Sequence, residues 1–446
     1  MNRRVILVLI GLLVAAAPQF LIASTVYAHV VSIACICLFL WLSEIAPPFV
    51  PTLLLWALIP LVLSPYDPKY SLVNVLGWAA DPVMALFFGG FALGLAAERY
   101  GLGARVMAFA LRVSGGSYTR FLVFVIFITA FFSMWISNIA AAALVFACLT
   151  PVIADLDDEH MLRRTLLIGV ALGANFGGIT TPVGTGPNAI ALASIQSTSS
   201  VSFVDWMTFA LPLTLGLLLM SFIFLLWRVR RDTGDWVPSG EANLALNDHP
   251  KGFGGRAFPF LLAATVVMWL AEPLHGVSAA TIALGCAAVL FLSGMLAKQD
   301  LLRIDWSTLL LIAGGITLGK LLERSDIIKE ATEKLPLTDL HPLATLFLLS
   351  FVTAVLSSLM SNTATVVLMI PLATSLVPGP STAILIAVSA SLGVPFIIST
   401  PPNAMAFGQR GVRFGDLFWP GIILMVIGCI LVSLTGKTVL NLAGIP

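Results

Sequence analysis

Two short polar motifs interrupt apolar runs of this chain. Ser137-Asn138 follows the run that ends at Trp135, and Ser361-Asn362 follows the run that ends at Leu359. In hydrocarbon, a side-chain amide is costly unless it is hydrogen-bonded. Polar residues at such depth therefore mark functional sites more often than packing seams. The two motifs predict binding sites inside the membrane.

A second pair of polar segments follows later in each half of the chain. These segments are Gly184-Thr185-Gly186-Pro187-Asn188-Ala189 and Ser399-Thr400-Pro401-Pro402-Asn403-Ala404. Breaks of this kind expose helix amino ends, which carry about half a positive charge, together with free N–H groups. They also leave free carbonyl oxygens, which suit Na⁺.

The chemistry that these motifs could perform is the joint binding of an anion and cations. No Lys, Arg or His lies among the apolar residues that flank either Ser-Asn motif. Positive potential must therefore come from helix amino ends and from bound cations. A cation beside each motif would help to neutralise a dianion, and by linkage each ligand would strengthen the binding of the other.

The motifs belong to a duplicated unit. Gly89-Gly90 with Glu98-Arg99 recurs as Gly314-Gly315 with Glu323-Arg324, and the spacing within the two sets is identical. The Ser-Asn and Pro-Asn motifs follow in the same order in both halves. Ordinary small-residue helix contacts explain glycine and serine, but they do not explain Asn and Pro recurring together inside apolar runs. We expect the Glu-Arg pairs to lie at the water interface rather than to carry protons.

Composition defines the elements that must position these motifs. Of the 446 residues, 59% are hydrophobic and 10% are charged, and apolar stretches recur at about 20 residues, the length that spans a bilayer core. The mean hydropathy is +1.02. We predict an all-α polytopic membrane protein with re-entrant hairpins and broken helices, since bare backbone at membrane depth must be buried or line a cavity. The 23 basic and 22 acidic residues leave no charge excess that would suggest nucleic acid.

Arginine clusters predict the orientation. Arg3-Arg4, four arginines from Arg99 to Arg120 and three from Arg228 to Arg231 mark cytoplasmic ends. The expected location is the cell inner membrane, crossed many times, with a cytoplasmic amino terminus. The predicted division is residues 1–75 and 257–300 as scaffold helices, 76–227 and 301–415 as hairpin and transport elements, 228–256 as a polar linker and 416–446 as a C-terminal helix.

At these motifs the sequence resembles the divalent anion sodium symporters, also described as sodium-dicarboxylate and sulfate transporters. Ser361-Asn362-Thr363 matches the family signature in full, and Ser137-Asn138-Ile139 departs at its third residue. The resemblance implies two inverted-topology repeats, a homodimer and a scaffold with an elevator-type transport domain. It also implies Na⁺-coupled symport of C4-dicarboxylates such as succinate, malate and fumarate.

The resemblance also implies the ligands. The first Na⁺ site would use Ser133, Ser137, Asn138 and the backbone at Gly184, and the second would use Ser357, Asn362 and the backbone near Met360 and Ser399. The anion would meet the signature and loop residues of both halves, which are Ser137, Asn138, Ser361, Asn362, Thr363, Thr185, Pro187, Thr400 and Pro402.

Two other classes of function stay open. One is a Na⁺-independent dicarboxylate exchanger, or a carrier of sulfate, citrate or another anion. The other is an intramembrane enzyme, which would need a nucleophile paired with a base, or a metal motif. Ser137 and Ser361 have no nearby His in sequence, and no His-Glu-x-x-His pattern occurs. The sequence therefore favours a transporter and not an enzyme.

Overall fold

The computed structural model describes residues 3–22, 24–43, 45–196, 201–229, 253–325, 327, 341–409 and 411–442. Within these ranges the chain forms α-helices and short 3₁₀ turns and contains no β-strand. Most of the predicted linker at 228–256 lies outside the described residues.

Eleven helices precede the linker. They are α1 (Arg3–Leu21), α2 (Thr25–Ser43), α3 (Val50–Leu63), α4 (Leu72–Ala79), α5 (Pro82–Arg99), α6 (Leu102–Ser114), α7 (Tyr118–Trp135), α8 (Asn138–Val152), α9 (Met161–Gly177), α10 (Gly186–Ile195) and α11 (Phe203–Val229).

Nine helices of the described residues follow the linker. They are α12 (Phe253–Leu270), α13 (Glu272–His275), α14 (Ala279–Leu292), α15 (Trp306–Arg324), α16 (Pro342–Leu359), α17 (Asn362–Leu376), α18 (Pro380–Ser391), α19 (Pro401–Gly408) and α20 (Phe414–Leu442).

Helix length and composition agree with a membrane protein. In the part of the chain that the structure describes, five helices are long and apolar enough to cross a membrane: α5, α7, α11, α15 and α20. Shorter apolar helices include α8, α17 and α18. The predicted all-α polytopic architecture is confirmed.

The predicted breaks at the Ser-Asn motifs are present, and their cause is local. Ile136 and Ser137 adopt extended backbone angles, and the Ser137 hydroxyl caps α8 by accepting the N–H of Ala140 at 3.2 Å. Met360 is extended in the same way between α16 and α17, and Ser361 precedes the first turn of α17. A serine before a helix can satisfy one of the free N–H groups of its first turn.

The two halves exchange their loop helices. α10 packs against α17 and α18 of the second half, and α19 packs against α8 and α9 of the first half. As a result, each polar loop lies beside helices of the other half.

The Gly-Gly pairs permit close helix packing. A Cβ on Gly89 would lie 2.5 Å from the carbonyl oxygen of Ala283 in α14, and a Cβ on Gly314 would lie 2.1 Å from the hydroxyl of Thr52 in α3. α5 is thereby fixed to α14, and α15 is fixed to α3.

A buried carboxylate joins three segments at the start of α20. Asp416 contacts Arg228 and lies 3.1 Å from Nη1 of Arg164, and its side chain is only 5% exposed. We expect Asp416→Asn to lower the free energy of unfolding by about 3–5 kcal/mol, because two guanidinium groups lose their counter-charge in a partly buried place.

Thermal unfolding in detergent measures this effect. The matched control is Glu159→Gln, which breaks the exposed pair between Arg413 and Glu159 and should cost less than about 1 kcal/mol. Equal shifts for both variants would contradict the assignment of a structural role to Asp416.

Candidate anion and cation site

Two buried asparagines hold the polar loops in the same way. Asn188 Nδ2 donates to the carbonyls of Ile179 at 3.4 Å and Thr181 at 2.8 Å, and also to Gly178 at 3.1 Å. Asn403 Nδ2 donates to the carbonyls of Val394 at 3.0 Å and Phe396 at 3.1 Å. Asn188 bonds to Ile179 and Thr181, and Asn403 bonds to Val394 and Phe396. In both loops the acceptors therefore precede the asparagine by the same numbers of residues. The Pro-Asn motifs therefore fix the unwound backbone before α10 and α19.

The second predicted cation site is a cluster of oxygens. Ser357 Oγ lies 2.6 Å from Asn362 Oδ1 and also 2.6 Å from the carbonyl oxygen of Ala390. One hydroxyl proton cannot serve both acceptors at full strength. The cluster therefore has an excess of lone pairs, an arrangement that suits a hard cation.

The first predicted cation site has a corresponding contact. Ser133 Oγ donates to the carbonyl of Ala174 at 2.6 Å, which matches the bond from Ser357 to Ala390. The backbone N–H of Asn138 donates to the carbonyl oxygen of Gly184 at 3.3 Å. A Cβ on Gly178 would lie 3.2 Å from Ser133 Oγ and 3.0 Å from the carbonyl oxygen of Gly184. These two oxygens therefore flank Gly178.

Helix amino ends supply positive potential at these clusters. α8, α10, α17 and α19 all begin at the predicted motifs. α10 and α17 meet closely, since a Cβ on Gly186 would lie 2.6 Å from Thr363 Oγ1. This contact explains why Gly186 stands where the second loop has Pro401, because a proline at position 186 would collide with Thr363.

The structure brings together most of the predicted residues. Ser357 contacts Asn362, Asn138 contacts Gly184, and Asn403 Nδ2 lies 3.2 Å from Ser399 Oγ. Thr400 accepts the N–H of Asn403 at the start of α19. Three more predicted residues lie at the same breaks: Met360 immediately after α16, and Pro187 and Pro402 in the first turns of α10 and α19.

Several residues of this region were not predicted. The carbonyls of Ala174 and Ala390 carry no signal in the residue type, because any residue could supply them. Asn175 Nδ2 donates to Asn403 Oδ1 at 2.8 Å across the two halves. An Asn inside the apolar run of α9 was a visible signal of the kind that identified Asn138.

Gly184 is a position where a side chain would be poorly tolerated. A Cβ there would lie 2.3 Å from the carbonyl oxygen of Gly178 and 2.6 Å from its Cα. Both atoms belong to the backbone and cannot rotate away. We expect Gly184→Ala to cost about 1–3 kcal/mol of stability and to reduce uptake about tenfold or more, since the carbonyl that faces Asn138 must move.

Uptake into liposomes, normalised to folded protein, measures this change. Gly216→Ala in α11 is the matched control, because nothing lies within 4 Å of its Cβ. Wild-type uptake by Gly184→Ala would contradict the importance of this loop geometry.

Comparison with known proteins identifies the family of this chain. The model of the citrate transporter family (CitMHS) matches residues 36–383, which is most of the chain. The chain belongs to the citrate transporter family. A member of this family is a membrane transporter rather than an enzyme, as the sequence predicts.

Two relatives of this citrate transporter family member cover nearly its whole length. An uncharacterized transporter of Haemophilus influenzae is 27% identical and covers 89% of this chain and 88% of its own. The sodium-dependent dicarboxylate transporter SdcS of Staphylococcus saprophyticus is 24% identical and covers 87% of this chain and 82% of its own. The predicted relation to the divalent anion sodium symporters is confirmed.

A solved structure agrees at the level of the fold. The YdaH transporter of Alcanivorax borkumensis aligns with a TM-score of 0.60 at 15% identity, covering 90% of this chain and 98% of its own. This likeness supports the all-α polytopic fold of this member of the citrate transporter family.

Proposed function

We propose that this protein is a Na⁺-coupled symporter of small dianions, and that C4-dicarboxylates such as succinate, malate and fumarate are its substrates. The observation that carries the proposal is the oxygen cluster of Ser357, Asn362 and Ala390, which lies where α17 begins. A cation bound there would stand next to a helix amino end that can hold a carboxylate.

Charge explains why the two ligands would be coupled. Helix amino ends carry only about half a charge each, and a dianion carries two negative charges. Two Na⁺ ions, one near Ser133 and Asn138 and one near Ser357 and Asn362, would supply the difference. The name of the SdcS relative, a sodium-dependent dicarboxylate transporter, supports this choice of cation and anion.

In this proposal the anion lies between the amino ends of the broken helices. Ser137, Asn138, Thr185 and Pro187 would line one side. Residues of the second half would line the other, namely Ser361, Asn362, Thr363, Thr400 and Pro402. Ile139 lacks the hydroxyl that Thr363 provides, so the two carboxylates would be held by different groups.

The proposed movement is of elevator type, between two inverted repeats. α5 and α15 pack tightly on α14 and α3, which favours placing these two helices with the scaffold. The moving part would then begin at α7 in the first half and at α16 in the second half, inside the boundaries drawn from the sequence.

The location and orientation of the protein are part of the same proposal. We place it in the cell inner membrane with a cytoplasmic amino terminus, on the arginine clusters noted above. A homodimer is proposed from the family resemblance.

Citrate is a second candidate substrate, because the matching family is described as citrate transporters. Sulfate and other anions belong to the same test, and so does a Na⁺-independent exchange mode, since some of the proposed cation ligands are backbone atoms.

Uptake into liposomes tests the proposal. Purified protein is reconstituted, and labelled succinate or citrate is supplied with an inward Na⁺ gradient, with an equal K⁺ gradient, or with unlabelled anion preloaded and no Na⁺. Succinate uptake that requires the Na⁺ gradient supports the symporter. Uptake only into preloaded liposomes means an exchanger, and uptake of citrate alone changes the substrate.

A further inference from the structure

A large cavity lies outside the proposed anion and cation sites. It has a volume of about 850 Å³ and lies among α10, α15 and α17, close to the start of α5. We call it the vestibule. Its exposed rim includes Gln196, Glu323 and Arg324, and its buried floor includes Ile190, Gly315 and Val367.

The floor of the vestibule is one helical turn from the proposed anion site. Ile190 follows Gly186 by four residues on α10, and Val367 follows Thr363 by four residues on α17. Four residues of α-helix correspond to about 6 Å. The floor is tight, since a Cβ on Gly315 would lie 2.5 Å from Cγ2 of Val367 and 2.9 Å from Cδ1 of Ile190.

One ammonium group faces this space with unused donors. Lys320 Nζ donates to the carbonyl oxygen of Trp78 at 3.3 Å and lies 4.0 Å from Asp81 Oδ2, beyond hydrogen-bond distance. An ammonium has three donors, so two have no partner among the described residues. Asp81 is nearly buried, and its Oδ1 accepts the N–H of Val83 at 3.0 Å.

The corresponding place in the first half is built differently. When the two Gly-Gly motifs are aligned, Lys320 falls opposite Leu95, so this cation has no counterpart. Glu98 and Arg99 form ion pairs with Arg303 and Asp300.

Among the described residues, the rim charges Glu323 and Arg324 have no such ion-pair partners. In the same alignment, Trp78 falls opposite Arg303. The guanidinium carbon of Arg324 lies 5.0 Å from the centre of the Trp78 ring. Within the described ranges, neither Glu323 nor Arg324 forms an ion pair with another side chain. In the described part of the chain, Glu98 and Arg99 are therefore held in ion pairs, whereas Glu323 and Arg324 stand at the rim of the vestibule without such pairs.

We infer that the vestibule is an entry site in which the Lys320 ammonium binds a carboxylate of the substrate before the anion passes the floor at Gly315. The ligand class is a small carboxylate anion. The inference rests on the proposed function and adds to it a residue that affects capture of the anion but not its final binding.

The test separates capture from translocation. Initial rates of labelled succinate uptake into liposomes are measured for Lys320→Gln, with Lys320→Arg and the exposed-surface variant Lys298→Gln as controls. Loss of one charge-assisted hydrogen bond should raise KM about tenfold and leave the maximal rate within about twofold. Lys320→Arg and Lys298→Gln should keep the wild-type KM.

Chemical rescue distinguishes charge from shape. Lys320→Cys is treated with aminoethyl methanethiosulfonate, which restores an ammonium at nearly the length of lysine, or with methyl methanethiosulfonate, which adds a neutral group. Wild-type protein, with its five native cysteines, receives both reagents as a control. We expect the aminoethyl reagent, and not the methyl reagent, to restore the wild-type KM in Lys320→Cys.

The outcomes are distinct. An unchanged KM in Lys320→Gln, or equal KM after both reagents, overturns the inference and leaves the symporter intact. Failure of the wild-type protein to take up succinate overturns the proposed dicarboxylate substrate and the inference with it. A fall in maximal rate with unchanged KM assigns Lys320 to the movement instead and also overturns the inference.

Discussion

Asn362→Ala is expected to lower Na⁺-driven succinate uptake by about 10- to 100-fold. Asn362 Oδ1 lies 2.6 Å from Ser357 Oγ, beside the carbonyl of Ala390. Removing a group that binds a charge costs about 1.5–3 kcal/mol, and each step of about 1.4 kcal/mol is a factor of ten. The half-saturating Na⁺ concentration should rise by a similar factor, because the amide is a proposed cation ligand.

Asn74→Ala is the matched control for this prediction. Asn74 is an exposed asparagine whose Nδ2 donates to the carbonyl of Pro68, far along the chain from the broken helices. Uptake and Na⁺ dependence should stay at wild-type values in this variant. If Asn362→Ala lost uptake but kept the wild-type Na⁺ dependence, the oxygen cluster would not be a cation site.

Asn403→Ala is expected to reduce both stability and uptake. Its Nδ2 serves the carbonyls of Val394 and Phe396, and its Oδ1 accepts from Asn175. The loss leaves the buried Val394 carbonyl and the buried Asn175 amide without these bonds, at about 1–3 kcal/mol each. The unfolding temperature in detergent and the uptake per folded molecule should both fall.

The aspartate variant gives a sharper test of the same contacts. Asn403→Asp keeps the size of the side chain but replaces the donor Nδ2 with an acceptor oxygen, which faces two carbonyls. It should be no more stable than Asn403→Ala. Wild-type stability in Asn403→Asp would mean that these hydrogen bonds do not hold the loop.

The contrast between the two asparagines follows from their neighbours. Asn362 begins a helix, and its Oδ1 shares one hydroxyl donor with the carbonyl of Ala390, whereas Asn403 donates to backbone carbonyls of the unwound segment before α19. Asn362→Ala should therefore change function with little loss of stability, and Asn403→Ala should change both.

The sequence predicted much of this arrangement for a physical reason. Ser137, Asn138, Ser361 and Asn362 are polar groups in apolar runs, and such groups are too costly to bury without a role. Their types and spacing therefore identified both breaks, and the family resemblance added the contact between Ser357 and Asn362, which the structure contains.

Other parts of the site depend on contacts that sequence spacing does not encode. The bond between Asn175 and Asn403 joins the two halves of the chain, and the carbonyls of Ala174 and Ala390 come from residues of ordinary type. The sequence shows that Leu95 aligns with Lys320 of the second half. The functional interpretation of this difference depends on the vestibule. That cavity lies where α10 of the first half meets α15 and α17 of the second half.

Equilibrium binding of succinate to the purified protein tests the central claim most directly. Titration calorimetry is performed in Na⁺ and in K⁺ at equal ionic strength, and Na⁺ is titrated with and without succinate. We predict that Na⁺ tightens succinate binding about tenfold or more, and that succinate tightens Na⁺ binding by the same factor, as linkage requires. Equal succinate affinity in Na⁺ and K⁺ would contradict the account, because the cations would then play no part in holding the anion.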